Sequence, residues 1–228
     1  MSELQTRTAK AHESEKQTQQ PDVFLFVGLK GAGKTYGAER AREQLTDTTL
    51  IDFSDVEFSD YVQDSFKWSK DYVENTNDND LGSWAATQKA EHGRGYFAEG
   101  IAEYVENMNY TPQNLVVSGV RYPEEAEAFR EAFDNVTTVV IWTLPEIRYN
   151  RLTTDMDTFV DRKSRELWDW GCIEFFTDPD QYDYVIPNNY GKDEFVHIID
   201  YLVDGNLERF QTSPFDDSMS KQKVGSFL

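Results

Sequence analysis

Short, wholly apolar runs alternate along the chain with stretches in which apolar residues recur every three or four positions. Val23-Phe24-Leu25-Phe26-Val27 has no polar position and closes on Gly28. It therefore predicts a strand buried on both faces. Leu50-Ile51-Asp52-Phe53, Leu115-Val116-Val117, Val139-Val140-Ile141-Trp142 and Tyr184-Val185-Ile186-Pro187 predict four more. Helical patterns fall between and beside them, at 35–45, 55–73, 83–108, 123–133, 145–152, 159–168 and 192–203. Pro123 and Pro145 stand at predicted first turns, where a missing N–H costs nothing. Strands joined by helical connections predict an α/β fold, a five-stranded parallel sheet covered on both sides. The long stretch between the second and third strands, with its polar loop Glu74-Asn75-Thr76-Asn77-Asp78-Asn79-Asp80, has room for a cap at about 55–110. A lid is expected at about 152–170. Residues 1–21 and 205–228 lack a periodic apolar set and predict polar, disordered tails around one domain at 22–204. No internal repeat is visible.

Charge narrows the picture. The 228 residues carry 42 Asp and Glu against 22 Lys and Arg, a net −20. Such a chain lacks the positive footprint that duplex nucleic acid or an anionic bilayer demands. Aromatic residues make up 14%, too many for a disordered acidic chain, so the charge reads as the coat of a folded protein. Self-repulsion strains such a coat unless salt screens it, and the expected setting is the cytoplasm of a high-salt organism or its virus. Cys172 is the sole cysteine, which excludes an intrachain disulfide, and it reads as a small buried hydrophobe. His12, His92 and His197 lie too far apart for a zinc set. No window approaches the ~18 apolar residues of a membrane helix, and no signal-type stretch opens the chain. Oligomeric state is left open.

One motif carries chemistry. Gly28-Leu29-Lys30-Gly31-Ala32-Gly33-Lys34-Thr35 fits G-x-x-x-x-G-K-[ST] directly after a buried strand and before a helix. Its glycines let backbone N–H groups curl around phosphate, and the helix adds its positive end. Lys34 then reaches the β and γ phosphates, and the Thr35 hydroxyl joins Mg²⁺. The expected ATP-binding set is Gly28, Lys30, Gly31, Ala32, Gly33, Lys34, Thr35 and the adjoining Tyr36. No guanine-reading Asn-Lys-x-Asp occurs, and Arg148, Arg151, Arg162 and Arg165 gather after the fourth predicted strand. Arginines there suit a lid over a transferring phosphoryl group. A nucleic-acid ATPase is disfavoured by the charge.

From about Val23 to Val203 the chain resembles the small P-loop kinases of metabolites, among them an archaeal family related to dephospho-CoA kinase. The resemblance rests on Gly28 to Thr35, Val116-Val117-Ser118-Gly119-Val120-Arg121-Tyr122-Pro123-Glu124-Glu125-Ala126-Glu127, Pro145-Glu146-Ile147-Arg148 to Arg151-Leu152, Phe159-Val160-Asp161-Arg162 to Glu166-Leu167-Trp168, and Tyr184-Val185-Ile186-Pro187-Asn188. Phage-type deoxynucleoside monophosphate kinases are similar over the same strand and Arg121 segment. The resemblance implies strand order 2-3-1-4-5, ATP as donor, and a small-molecule phosphate acceptor under cap and lid. It implies that Arg121 binds the acceptor, that Arg151 lies near the adenine, that Asn188 frames the base, and that Arg162 or Arg165 acts from the lid. Ion pairing of Arg121 with Glu124 or Glu125, and solvated faces for Arg148, Arg162 and Arg165, remain alternatives.

Relatives place an Asp where Ser118 or Gly119 stands, and this chain does not. Asp52 and Asp55, after the second strand, are the candidates to handle an acceptor hydroxyl. The missing Asp also motivates a second class, a nucleotide-binding regulatory or assembly protein without transfer chemistry. Within Glu91-His92-Gly93-Arg94-Gly95, either Arg94 and His92 face an anionic acceptor or the segment is a glycine-stopped helix end. Trp84, Tyr96, Phe97 and Tyr104 predict a stripe that packs the cap.

Overall fold

A computed structural model describes residues 20–53, 87–152 and 170–205. Its elements run β1 (Asp22–Val27), α1 (Lys34–Gln44), β2 (Thr48–Asp52), α2 (Tyr96–Glu106), β3 (Asn114–Val120), α3 (Pro123–Ala132), β4 (Val136–Trp142), α4 (Pro145–Leu152), α5 (Trp170–Thr177), β5 (Tyr184–Pro187) and α6 (Lys192–Val203). The described strands form one sheet in the order β2-β3-β1-β4-β5, with every pairing parallel. This is the predicted sheet and the order of the P-loop kinase fold.

Alternation along the strands feeds two cores. Val23, Leu25 and Val27 of β1 join Leu115 and Val117 of β3 against Ile101 of α2, Phe129 of α3 and Phe175 of α5. Phe26, Val116, Val139 and Ile141 face the other way, onto Ala38 and Ala41 of α1 and Phe195 and Ile199 of α6. Successive strand residues point to opposite faces, so a strand covered on both must be apolar throughout. Phe26, Phe129, Phe175 and Phe195 are fully buried, each contributing about 1.5–3 kcal/mol of transfer free energy. Cys172 is buried beside Phe175 and Phe176, as its sequence setting predicts.

Two elements differ from expectation. The helix predicted over 83–108 is broken within its described part: residues 87–92 are helical, Gly93 turns with φ 103°, and α2 begins at Tyr96. The Gly93 N–H donates to Lys89 O at 3.0 Å, an ending that a left-handed glycine makes inexpensive. Helix α5 was not expected, because Trp170-Gly171-Cys172-Ile173-Glu174-Phe175-Phe176-Thr177 is too short and too uniformly apolar to show a period. Residues 1–19 and 206–228 of the predicted tails, the 55–73 and 159–168 helices, Trp84, and most of the cap and lid lie outside the described residues.

Candidate functional site

The carboxyl ends of β1, β2 and β3 meet at the loop between β1 and α1, where parallel sheets of this type place their ligands. Several of the loop's carbonyls are held by side chains from α4 and from the ends of β4 and β5. Ala32 O accepts from Asn188 Nδ2 at 2.8 Å, from Thr143 Oγ1 at 3.0 Å and from Arg151 Nη1 at 3.4 Å. Lys30 O accepts from Arg148 Nε at 2.9 Å, and Gly31 O from Arg151 Nη1 at 3.4 Å. Cys172 Sγ lies 3.7 Å from Gly28 O. Carbonyls engaged by these donors carry less unpaired negative charge into the loop, which suits an anion site. Gly33 caps α1 with φ 101°, and a Cβ there would collide with the Asn188 amide. Lys34 is the first residue of α1.

Asn188 and Arg151 are thereby both bonded to the loop's backbone. Arg151 Nη2 donates to Asn188 O at 3.0 Å and to Asn188 Oδ1 at 3.2 Å, while Asn188 itself is only 6% exposed. Both polar atoms of the Asn188 amide are engaged in this brace. Tyr36 sits against Phe195, with Lys192 Nζ 4.8 Å from its ring centroid, and Lys30 is exposed.

Three hydroxyl and carboxyl groups converge beyond the loop. Ser118 Oγ donates to Thr35 Oγ1 at 3.4 Å, and Thr35 Oγ1 donates to Asp52 Oδ2 at 3.3 Å. These contacts are longer than ordinary O–H···O bonds. Asp52 is 9% exposed and pairs with Ser118 across the β2–β3 ladder. Gly119 leaves no room for a carboxylate at its own position near the end of β3. It is the extra residue of a bulge, since Phe26 pairs with Ser118 but Val27 with Val120, and its φ is 89°. A Cβ there would lie 3.0 Å from Phe53 Cβ and 3.3 Å from Asp52 Oδ1. The carboxylate at this end of the sheet comes from the neighbouring strand.

Gly119→Ala should therefore cost about 1–2 kcal/mol through its strained backbone. Thermal melting should record a drop of about 2–8 °C for a domain of this size. An unchanged melting temperature would mean that the bulge relaxes.

Arg121 follows the bulge, and its backbone N–H donates to Glu125 Oε2 at 2.7 Å. The Glu91–Gly95 segment takes the helix-end form: Arg94 bonds Glu174 at 2.9 Å and Glu124 at 3.4 Å, and His92 stacks on Tyr96. Phe97 is core, whereas Tyr104 is exposed. Asp55, Arg162 and Arg165 lie outside the described residues. Thr143 and the Ser118 hydroxyl escaped notice in the sequence; a lone polar residue directly after the apolar run of β4 was the signal for Thr143.

No family model matches the chain. The UPF0200 protein of Pyrococcus abyssi is 30% identical over 127 residues, which cover 54% of this chain and 61% of that protein, under two thirds of its length. The UPF0200 protein of Thermococcus kodakarensis is 26% identical over 191 residues, covering 80% of this chain and 96% of its own. Among solved structures, that of TT1252 from Thermus thermophilus is similar with a TM-score of 0.51 at 14% identity, covering 83% of this chain and 99% of that one. At that identity the likeness is one of fold. Among the described residues no helix is long and apolar enough to cross a membrane, and no group of three or more His, Cys, Asp or Glu is placed to hold a metal.

Proposed function

We propose that the protein transfers the γ-phosphoryl group of ATP to a nucleotide or nucleotide-like small molecule of the nucleoside monophosphate or dephospho-CoA class. The observation that carries this reading is the buried Asp52 carboxylate against Thr35, one residue beyond the lysine of a phosphate loop braced through its carbonyls. The loop and the start of α1 bind the triphosphate, and Lys34 places its charge on the oxygens of the transferring group. Thr35 Oγ1, with Asp52 and Ser118 beside it, is a set of hard oxygens that fits Mg²⁺. That ion, when bound, supplies neutralising charge to the β and γ phosphates. With a hydroxyl acceptor, the acceptor oxygen forms the new bond to phosphorus, the β–γ bridging bond breaks, ADP leaves, and Asp52 takes the hydroxyl proton. Asp55 is the alternative for that proton. Arg121 holds the acceptor, Arg162 and Arg165 close from the lid, and Arg151 and Asn188 keep the loop in shape beside the nucleotide.

The reading as a regulatory or assembly protein without transfer chemistry was motivated by the absent carboxylate on β3, and Asp52 weakens that motive. The test is ADP release with dNMPs, NMPs and dephospho-CoA in turn, in Mg²⁺ and molar KCl, because a net −20 calls for screening. Acceptor-dependent ADP formation is expected. Tight ATP binding with no acceptor-dependent turnover would sink the kinase reading.

A further inference from the structure

Glu125 is a carboxylate that the proposed chemistry does not use, and it is wholly buried at 0% exposure. It is the third residue of α3, where a glutamate commonly reaches back to the cap N–H and remains in contact with water. Here it reaches farther. Oε2 accepts from the Tyr122 N–H at 3.2 Å and, more closely, from the Arg121 N–H at 2.7 Å, a peptide outside the helix. Oε1 takes Lys89 Nζ, delivered by the helical residues 87–92. The Lys89 ammonium also lies 4.6 Å from the Tyr122 ring centroid, and the Arg94 guanidinium 4.9 Å from it. Burial, with the nearby Glu125 charge, holds the Tyr122 hydroxyl above its usual range, so the ring stays neutral beneath its two cations. On the far side Gly171 of α5 packs so closely on Arg121 O and the Tyr122 ring that a Cβ has no room.

Burying an ion pair rarely adds stability over an apolar pair of the same size, so fixed geometry is the better account of it. What is fixed is the backbone of Arg121, just past the bulge at Gly119. We propose that Glu125, anchored by Lys89, is a positioning residue that holds Arg121 for the acceptor. The proposal rests on the kinase reading above, and its consequence is selective: acceptor recognition depends on Glu125, whereas ATP binding, at the loop that follows β1, does not.

Glu125→Gln keeps the size and one acceptor oxygen but removes the charge. Steady-state kinetics, with whichever acceptor of the panel the wild type phosphorylates, should show an acceptor KM raised about tenfold or more. The kcat should stay within about threefold and the ATP KM within about twofold. In an Arg121→Ala background the same change should add less than about twofold, because the two act as one unit. Lys89→Met should reproduce part of the effect from outside α3, and Lys89→Arg should restore it. Equal losses for ATP and acceptor, or full additivity with Arg121→Ala, would overturn the proposal in favour of a merely structural role. Amide hydrogen exchange read by NMR separates this proposal from the kinase reading. If the wild type phosphorylates nothing, the kinase reading fails, and exchange still decides the clamp. Arg121 and Tyr122 N–H exchange at least about tenfold faster in Glu125→Gln supports it, and unchanged protection refutes it.

Discussion

Lys34→Ala is expected to lower kcat/KM by about 10²–10³-fold or more, the scale seen when one preorganised group facing developing charge is removed. Lys34 opens α1 at the end of a loop whose carbonyls are hydrogen-bonded by Asn188, Thr143 and Arg148. In a protein of net −20 a triphosphate meets long-range repulsion, so the few cations at the loop carry much of its attraction. Calorimetry with ATP should show binding weakened with turnover. Stability should move the other way or not at all. A lysine at a helix N-terminus opposes the helix dipole by about 0.3–1 kcal/mol, so its removal should leave the melting temperature unchanged or raise it. A fall in binding together with a large fall in melting temperature would mean that Lys34 holds the fold rather than the phosphate.

Asp52→Asn should separate chemistry from binding. The amide keeps the shape beside Thr35 and Ser118 and loses the charge and the capacity to take a proton. Loss of a general base costs about 10²–10⁴-fold in kcat. The ATP dissociation constant measured without Mg²⁺ should stay within about threefold of wild type, since the loop and Lys34 are untouched. The informative comparison is Asp55→Asn in the same assay. Wild-type turnover in Asp52→Asn with loss in Asp55→Asn would move the proton acceptor to Asp55. Loss of ATP binding in Asp52→Asn would place Asp52 on the donor side, supporting Thr35 and its metal.

The site was legible where its chemistry is contiguous. Eight consecutive residues from Gly28 to Thr35 announce the loop, because curling a backbone around phosphate needs glycines at fixed local spacing. The strands were legible too, since burial on both faces leaves no polar position to blur the pattern. Their ends were less so: β3 runs on through Ser118 and Gly119 to Val120, past its apolar run, because ladder bonds rather than side chains define it there. The break at Gly93 was legible only as one of two readings of Glu91–Gly95, because a glycine inside a helical pattern reads equally as a tolerated residue or a stop.

By itself the sequence determined which residues bury, where the phosphate loop lies and that strands alternate with helices, all properties of neighbours within a few positions. Only the tertiary structure decided that Asp52 stands where a carboxylate on β3 was expected. That takes β2 laid beside β3, and a bulge at Gly119 that leaves no room for a side chain of its own. Likewise it turned Asn188 and Arg151 into braces on the loop, and Glu125 into a clamp on Arg121. Those contacts join residues far apart in the chain, and no local pattern encodes them, because their energy exists only once the sheet has brought the partners together.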